Sequence, residues 1–206
     1  MAHAPTPENI LDAALRCAAD GHWEQLRLTD VAAALDATLA DIHTHFPDKE
    51  ALVDALWDRA DRAMLQHAGD AAVQILPVPE RIEALVFAWL APLAAHRRSV
   101  REMLLVRLEP GHVHIQLPTL LRVSKTVQWL REAAGLRATF AWRALEESAL
   151  TALFVATVTA WLRDNGERTA RDILRGGLHA AHTIRQRVGP QDNASSSEKG
   201  DGEWIP

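Results

Sequence analysis

Apolar residues recur at helical spacing along nearly the whole chain, from Ile10 through Ile184. No run alternates over the length of a strand, and Pro and Gly fall between the runs as punctuation. The pattern predicts an all-α protein of about nine helices. They fall at roughly 7–20, 28–35, 38–45, 48–68, a fifth from Pro79 disturbed near Pro92, 97–107, 119–133, 139–163 and 168–187. The stretch "EPGHVHIQLP" at 109–118 is expected to be a loop. The Gly/Ser-rich end, 189–206, is expected to be a disordered tail.

Residues 28–47, "LTDVAAALDATLADIHTHFP", carry the most specific local signal. A short Ala-rich helix meets a turn at Asp36-Ala37. Thr38 then stands as an N-cap whose hydroxyl can accept the Asp41 amide. Val31, Leu35, Leu39 and Ile42 are placed to pack the two helices steeply, as in a helix-turn-helix. Phe46 is expected to plug the core beneath them.

The segments "ENILDAALRCAADGHW", "LRLTDVAAAL" and "HFPDKEALVDAL" together resemble the TetR family of bacterial repressors. The resemblance spans about 60 residues in order and rests on Ile10, Leu11, Ala14, Gly21, Asp30, Val31, Ala32, His45, Phe46, Lys49 and Leu52. It implies a three-helix DNA-binding head at 6–66 and a helical effector-binding and dimerisation body at 67–188. It further implies a cytoplasmic, homodimeric repressor that grips a palindromic operator in double-stranded DNA and is released by a small apolar or anionic effector. Carried over, Thr38, Leu39, Ala40, His43, Thr44 and His45 face bases or backbone, Arg27 and Thr29 flank them, and Lys49 meets a phosphate.

Charge complicates that picture. Residues 1–62 hold 12 Asp/Glu against 5 Lys/Arg, whereas 63–188 hold 11 against 16. DNA affinity depends on cation–phosphate contacts, so an acidic head predicts weak or salt-sensitive binding. The turn has Asp36 where the family usually has Gly, and His43 stands at a frequent Tyr position. Arg27 occupies a usual Ser/Thr cap, which leaves Thr29 as the alternative cap.

In the body, Phe87, Trp89, Met103, Trp129 and Trp142 are candidates to line an apolar ligand cavity. Arg107 joins them through a cluster with Arg97, Arg98 and Arg101 that could receive an anionic group. Such aromatics are more often plain core, and such a charge run is more often a solvated face. Leu145, Ala149, Ala152, Leu153, Ala156 and Ala160 form one helical stripe, and Ile173, Gly177, Leu178 and Ala181 form another. Small residues at this spacing permit close helix approach, either within the chain or across a four-helix dimer interface.

The end of the chain, "LTALFVATVTAWLRDNGERTARDIL", is also similar to a TetR-like lipid-binding family of ubiquinone biosynthesis, which implies an isoprenoid carrier without DNA binding. No catalytic motif, cofactor loop or metal-ligand spacing stands out, so neither an enzyme nor a cofactor is expected. His43 and His45 point apart on a helix, His112 and His114 fall in the expected loop, and a lone Cys17 has no activating partner. No run of 18 uninterrupted apolar residues predicts a membrane span.

Overall fold

The computed structural model describes residues 4–108, 113–137, 140–163 and 167–188. Among them are ten α-helices, a 3-10 segment and no strand. Helices α1 (Pro7–Asp20), α2 (Leu28–Ala34) and α3 (Leu39–His45) precede the long α4 (Lys49–Ala68). Then come α5 (Ala71–Gln74), α6 (Val78–Leu90), the 3-10 segment Ala91–His96, α7 (Arg97–Leu108), α8 (Val113–Ala134), α9 (Phe140–Arg163) and α10 (Glu167–Val188).

Local chemistry sets the early boundaries. Thr6 caps α1 by accepting the Asn9 amide at 3.2 Å, and Pro7 supplies the first helical φ. Asp48 caps α4 by accepting the Ala51 amide at 2.8 Å. Ile10, Leu11, Ala14 and Leu15 on the apolar face of α1 are buried in one core with Val31, Ile42, Phe46, Leu52 and Leu56, and α1 packs on α2 and α4. This core closes the head, and α4 carries it onward by packing on α6 and α8. The body is completed by α8 on α9, α9 on α10, and α10 back on α6.

Two elements depart from the sequence expectation. The single turn α5 is too short to show a helical period in sequence. Helix α8 begins at Val113, so 113–118 is helical where a loop was expected. Proline usually marks a helix start, but Pro118 lies inside α8, where it forgoes one backbone hydrogen bond without ending the helix. Residues 109–112 and the tail 189–206 lie outside the described residues.

Glycine matters at two positions. Gly135 has φ +73° where α8 ends, and Arg81 donates to the neighbouring Ala134 carbonyl at 3.1 Å. At Gly177 an added Cβ would lie 2.4 Å from Leu153 Cδ1, so the missing side chain lets α10 press onto α9.

Candidate nucleic-acid interface

The turn between α2 and α3 is closed by the Ala37 amide donating to the Ala32 carbonyl at 2.9 Å. Asp36 adopts φ +50° to make it. Glycine takes that left-handed conformation freely, and Asp is among the few side chains that tolerate it. Thr38 then opens α3 with a reciprocal cap. The Asp41 amide donates to Thr38 Oγ1 at 3.2 Å, while the Asp41 carboxylate accepts the Thr38 amide at 2.8 Å and its hydroxyl at 2.7 Å. The Thr38 hydroxyl and amide together hold the Asp41 carboxyl below its ordinary pKa. The acidic residue on the candidate reading helix is therefore a cap, lying near the positive end of the helix.

The outward face of α3 presents Leu39, Ala40, His43, Thr44 and His45, all exposed. Leu39 is 49% exposed, so it does not join the Val31–Leu35–Ile42 packing expected of it. The Thr44 hydroxyl donates back to the Ala40 carbonyl at 2.9 Å, turning its own helix's acceptor away from solvent. Phe46 is buried beneath the corner. Arg27 is exposed and stands at the N-cap of α2 without a side-chain capping bond. Thr29 is exposed within the first turn of α2 and does not take over the cap, because the helix has already begun at Leu28.

Lys49 turns inward. Its ammonium donates to the Trp23 carbonyl and, at 3.0 Å, to the Glu24 carbonyl. It also lies 5.2 Å from the centroid of the buried Trp23 ring. Burial draws its pKa below the ordinary lysine value, against the raising influence of Glu50 and Glu24. The residue expected to offer a free cation at the start of α4 instead clamps the α1–α2 loop.

The candidate ligand residues occupy different settings. Trp89 and Met103 are buried core, with Trp89 stacked on Trp57 at 5.7 Å and edge-on to Phe154 at 5.0 Å. Phe87 is half-buried beneath the Arg171 guanidinium, 3.8 Å away. Trp129 is 46% exposed at a shallow polar recess with Gln128, Arg131, Glu132 and Arg143, and Trp142 is half-buried. The Arg107 side chain lies outside the described residues, as do those of His112 and His114. The arginines expected as one cluster diverge. Arg97 covers the Trp161 ring at 4.1 Å, and Arg98 pairs with Glu102. Trp89 packs in the core because its ring finds partners across helix interfaces, a pairing that single-helix spacing does not reveal.

The two C-terminal stripes divide. Leu145, Ala149, Ala152, Ala156, Ile173 and Ala181 are exposed. Val155 and Ile184 extend that apolar face. Ala160 and Leu178 are instead buried in the chain's own core, and Leu153 meets Gly177 within the chain. Those four take part in intrachain packing, because the α9–α10 crossing uses that side of each helix.

Sequence reasoning missed a buried polar junction. Asp61, 6% exposed, accepts from Trp89 Nε1 at 2.8 Å, Thr126 Oγ1 at 2.9 Å and Arg122 at 2.8 Å. Glu83 likewise ties α6 to Arg171 and Arg175 of α10. An Asp at a core-facing helical position was the available signal.

A helical head with a capped second helix across a tight turn defines a helix-turn-helix protein. Residues 10–56 match the family described as bacterial regulatory proteins, tetR family. A TetR transcriptional regulator from Nitrosomonas europaea ATCC 19718 is 41% identical, superposes with a TM-score of 0.77, and is matched over 86% of this chain and 98% of its own. A TetR-like transcriptional regulator from Rhodococcus sp. RHA1, 20% identical with a TM-score of 0.50, shares the fold over 91% of this chain and all of its own. None of the curated proteins compared matches the sequence. The chain belongs to the TetR family of bacterial transcriptional regulators, DNA-binding proteins of the helix-turn-helix type.

Proposed function

We propose that the protein is a cytoplasmic, ligand-responsive repressor that grips a palindromic operator as a homodimer. The observation carrying this reading is the corner at Thr38. A seven-residue helix is fixed at its start by a reciprocal cap and set on a closed core, with Leu39, Ala40, His43 and Thr44 facing outward. A rigid helix with short outward groups suits entry into a major groove.

In this reading His43 meets base edges, Leu39 and Ala40 meet thymine methyls, and Arg27 and His45 meet the backbone. The Lys49 ammonium has no phosphate role, and the positive N-terminal end of α4 takes its place. The head spans 6–66 and the body 67–188. The exposed strip of Leu145, Ala152, Val155, Ala156, Ile173 and Ile184 supports dimerisation through α9 and α10. Trp142–Arg163 has the length and mean hydropathy, 1.3, of a membrane span. Its packing against α7, α8 and α10 supports a helix covered by protein on both sides once dimerised. The effector acts through the body, biasing the separation of the two heads.

Selection from a random duplex-DNA pool at low salt tests this. Enrichment of a palindrome supports the repressor. A folded dimer that enriches nothing refutes it and favours the isoprenoid-carrier alternative, for which mass spectrometry of the purified protein would show a retained lipid.

A further inference from the structure

We propose that Glu102 on α7 is a positioning residue through which the body sets the α3–α4 corner, acting by way of the His22–Glu24 segment and Lys49. The inference rests on the DNA-binding reading only for its regulatory meaning; the mechanical coupling stands on the geometry.

One short peptide segment is held from two sides. On the body side, the Trp23 amide donates to Glu102 Oε2 at 2.7 Å. Glu102 Oε1 lies 2.9 Å from His22 Nδ1 and accepts from Arg98 Nε at 3.2 Å. The Arg98 guanidinium also sits 3.1 Å from His22 Nε2, so the imidazole is bracketed. On the head side, the carbonyls of Trp23 and Glu24 accept from the Lys49 ammonium. The Trp23 indole between them is 2% exposed. The segment therefore has little freedom to yield when either end moves.

The two holders belong to different parts of the molecule. Helix α7 packs on the 3-10 segment, α8 and α9 as well as on α1. Lys49 is the first residue of α4, directly after the Asp48 cap and three positions after Phe46. A displacement of α7 thus reaches the end of α3 through two sets of charge-assisted hydrogen bonds, which are the stronger kind. Burial raises the Glu102 carboxyl, but the Trp23 amide, His22 and Arg98 outweigh it and hold the group below its ordinary pKa. The site is built for the carboxylate.

Hydrogen exchange on the full-length protein tests the coupling without DNA. The Leu26 amide, bonded to the Trp23 carbonyl at 3.2 Å, and the Ala51 amide, bonded to Asp48, report the two sides of Lys49. In Glu102→Ala both should exchange roughly tenfold faster, from the loss of charge-assisted bonds, while amides in the middle of α9 keep their rates. Glu102→Gln keeps an acceptor for the Trp23 amide and should show a smaller change at the same two positions. Lys49→Met should reproduce the Ala51 effect, and adding Glu102→Ala to it should change Ala51 little further. An unchanged Ala51 amide in Glu102→Ala would overturn the proposal. So would equal acceleration across α9, or independent, additive effects of the two substitutions. Absence of duplex binding by the parent protein, with the exchange pattern as expected, would instead remove the DNA reading and leave the coupling standing.

Discussion

Asp41 in the α3 corner and Asp61 in the middle of α4 are both carboxylates accepting several hydrogen bonds, yet they belong to different kinds of structure. Asp41 is answered entirely by Thr38, three residues away, and faces solvent. Asp61 is answered by Trp89, Arg122 and Thr126, from two other helices, and is buried. Asp41 and Asp48 act locally, as caps at helix starts. Asp61 and Glu83 act over long range, as ties between helices. An acidic head is therefore compatible with a DNA-facing surface, because Asp41 and Asp48 are engaged with their own helix amides. Both carboxylates keep their charge, and the positive ends of their own helices offset part of it.

Breaking the long-range tie should cost most. Asp61→Ala leaves the Trp89 indole N–H and the Thr126 hydroxyl buried without their acceptor and removes one of the two carboxylates on Arg122, Asp58 keeping the other at 2.6 Å, and should destabilise by about 3–5 kcal/mol. Urea unfolding would measure it, and Asp61→Asn, which keeps one acceptor oxygen, should lose less. A value near that of a surface substitution would erase the contrast between the two regions.

Gly177→Ala should come next. Its Cβ would meet the Leu153 side chain, which has to swing away, at a cost of about 1–2 kcal/mol. Gly176→Ala meets nothing within 4 Å and should instead gain roughly 0.5–1 kcal/mol of helix propensity. Thermal unfolding of the pair compares a packed position with an open one on the same helix.

Thr38→Ala sharpens the local side of the comparison. Loss of the reciprocal cap should cost about 1 kcal/mol, read by unfolding, and should weaken duplex binding in the same variant. Acid acts in the same direction on both regions. Asp41, Glu83 and Glu102 all have folded pKa values below their ordinary 3.8, 4.5 and 4.5. Their contribution is complete above those ordinary values and is lost as pH falls through the lower folded ones. Stability measured by urea should therefore be flat near about pH 6 and fall toward about pH 3. A rise in that window would contradict the three assignments.

The same contrast explains how much was legible in the sequence. Thr38 was readable as a cap because its partner lies three residues on, and Phe46 as a core plug because it sits at the end of an apolar helical period. The α9–α10 stripes were readable as apolar faces. Which half of each stripe meets the chain's own core was not, since that depends on the crossing of two helices. The clamp made by Lys49 was not legible because its acceptors lie 26 and 25 positions earlier, in a loop. The Thr126–Asp61 and Arg175–Glu83 bonds span 65 and 92 positions, far beyond any helical period. The core packing of Trp89 was not legible for the same reason, because its ring meets Trp57 and Phe154 on two other helices.

The central claim is that α3 reads bases through its outward side chains while Lys49 serves the fold. It is tested most directly by the affinity of His43→Ala for the selected operator and for a scrambled duplex at one salt concentration. Loss of a base-edge contact should weaken operator binding by about 1–3 kcal/mol and leave the scrambled duplex unchanged. Equal affinity of the variant and the parent protein for the operator would contradict the account.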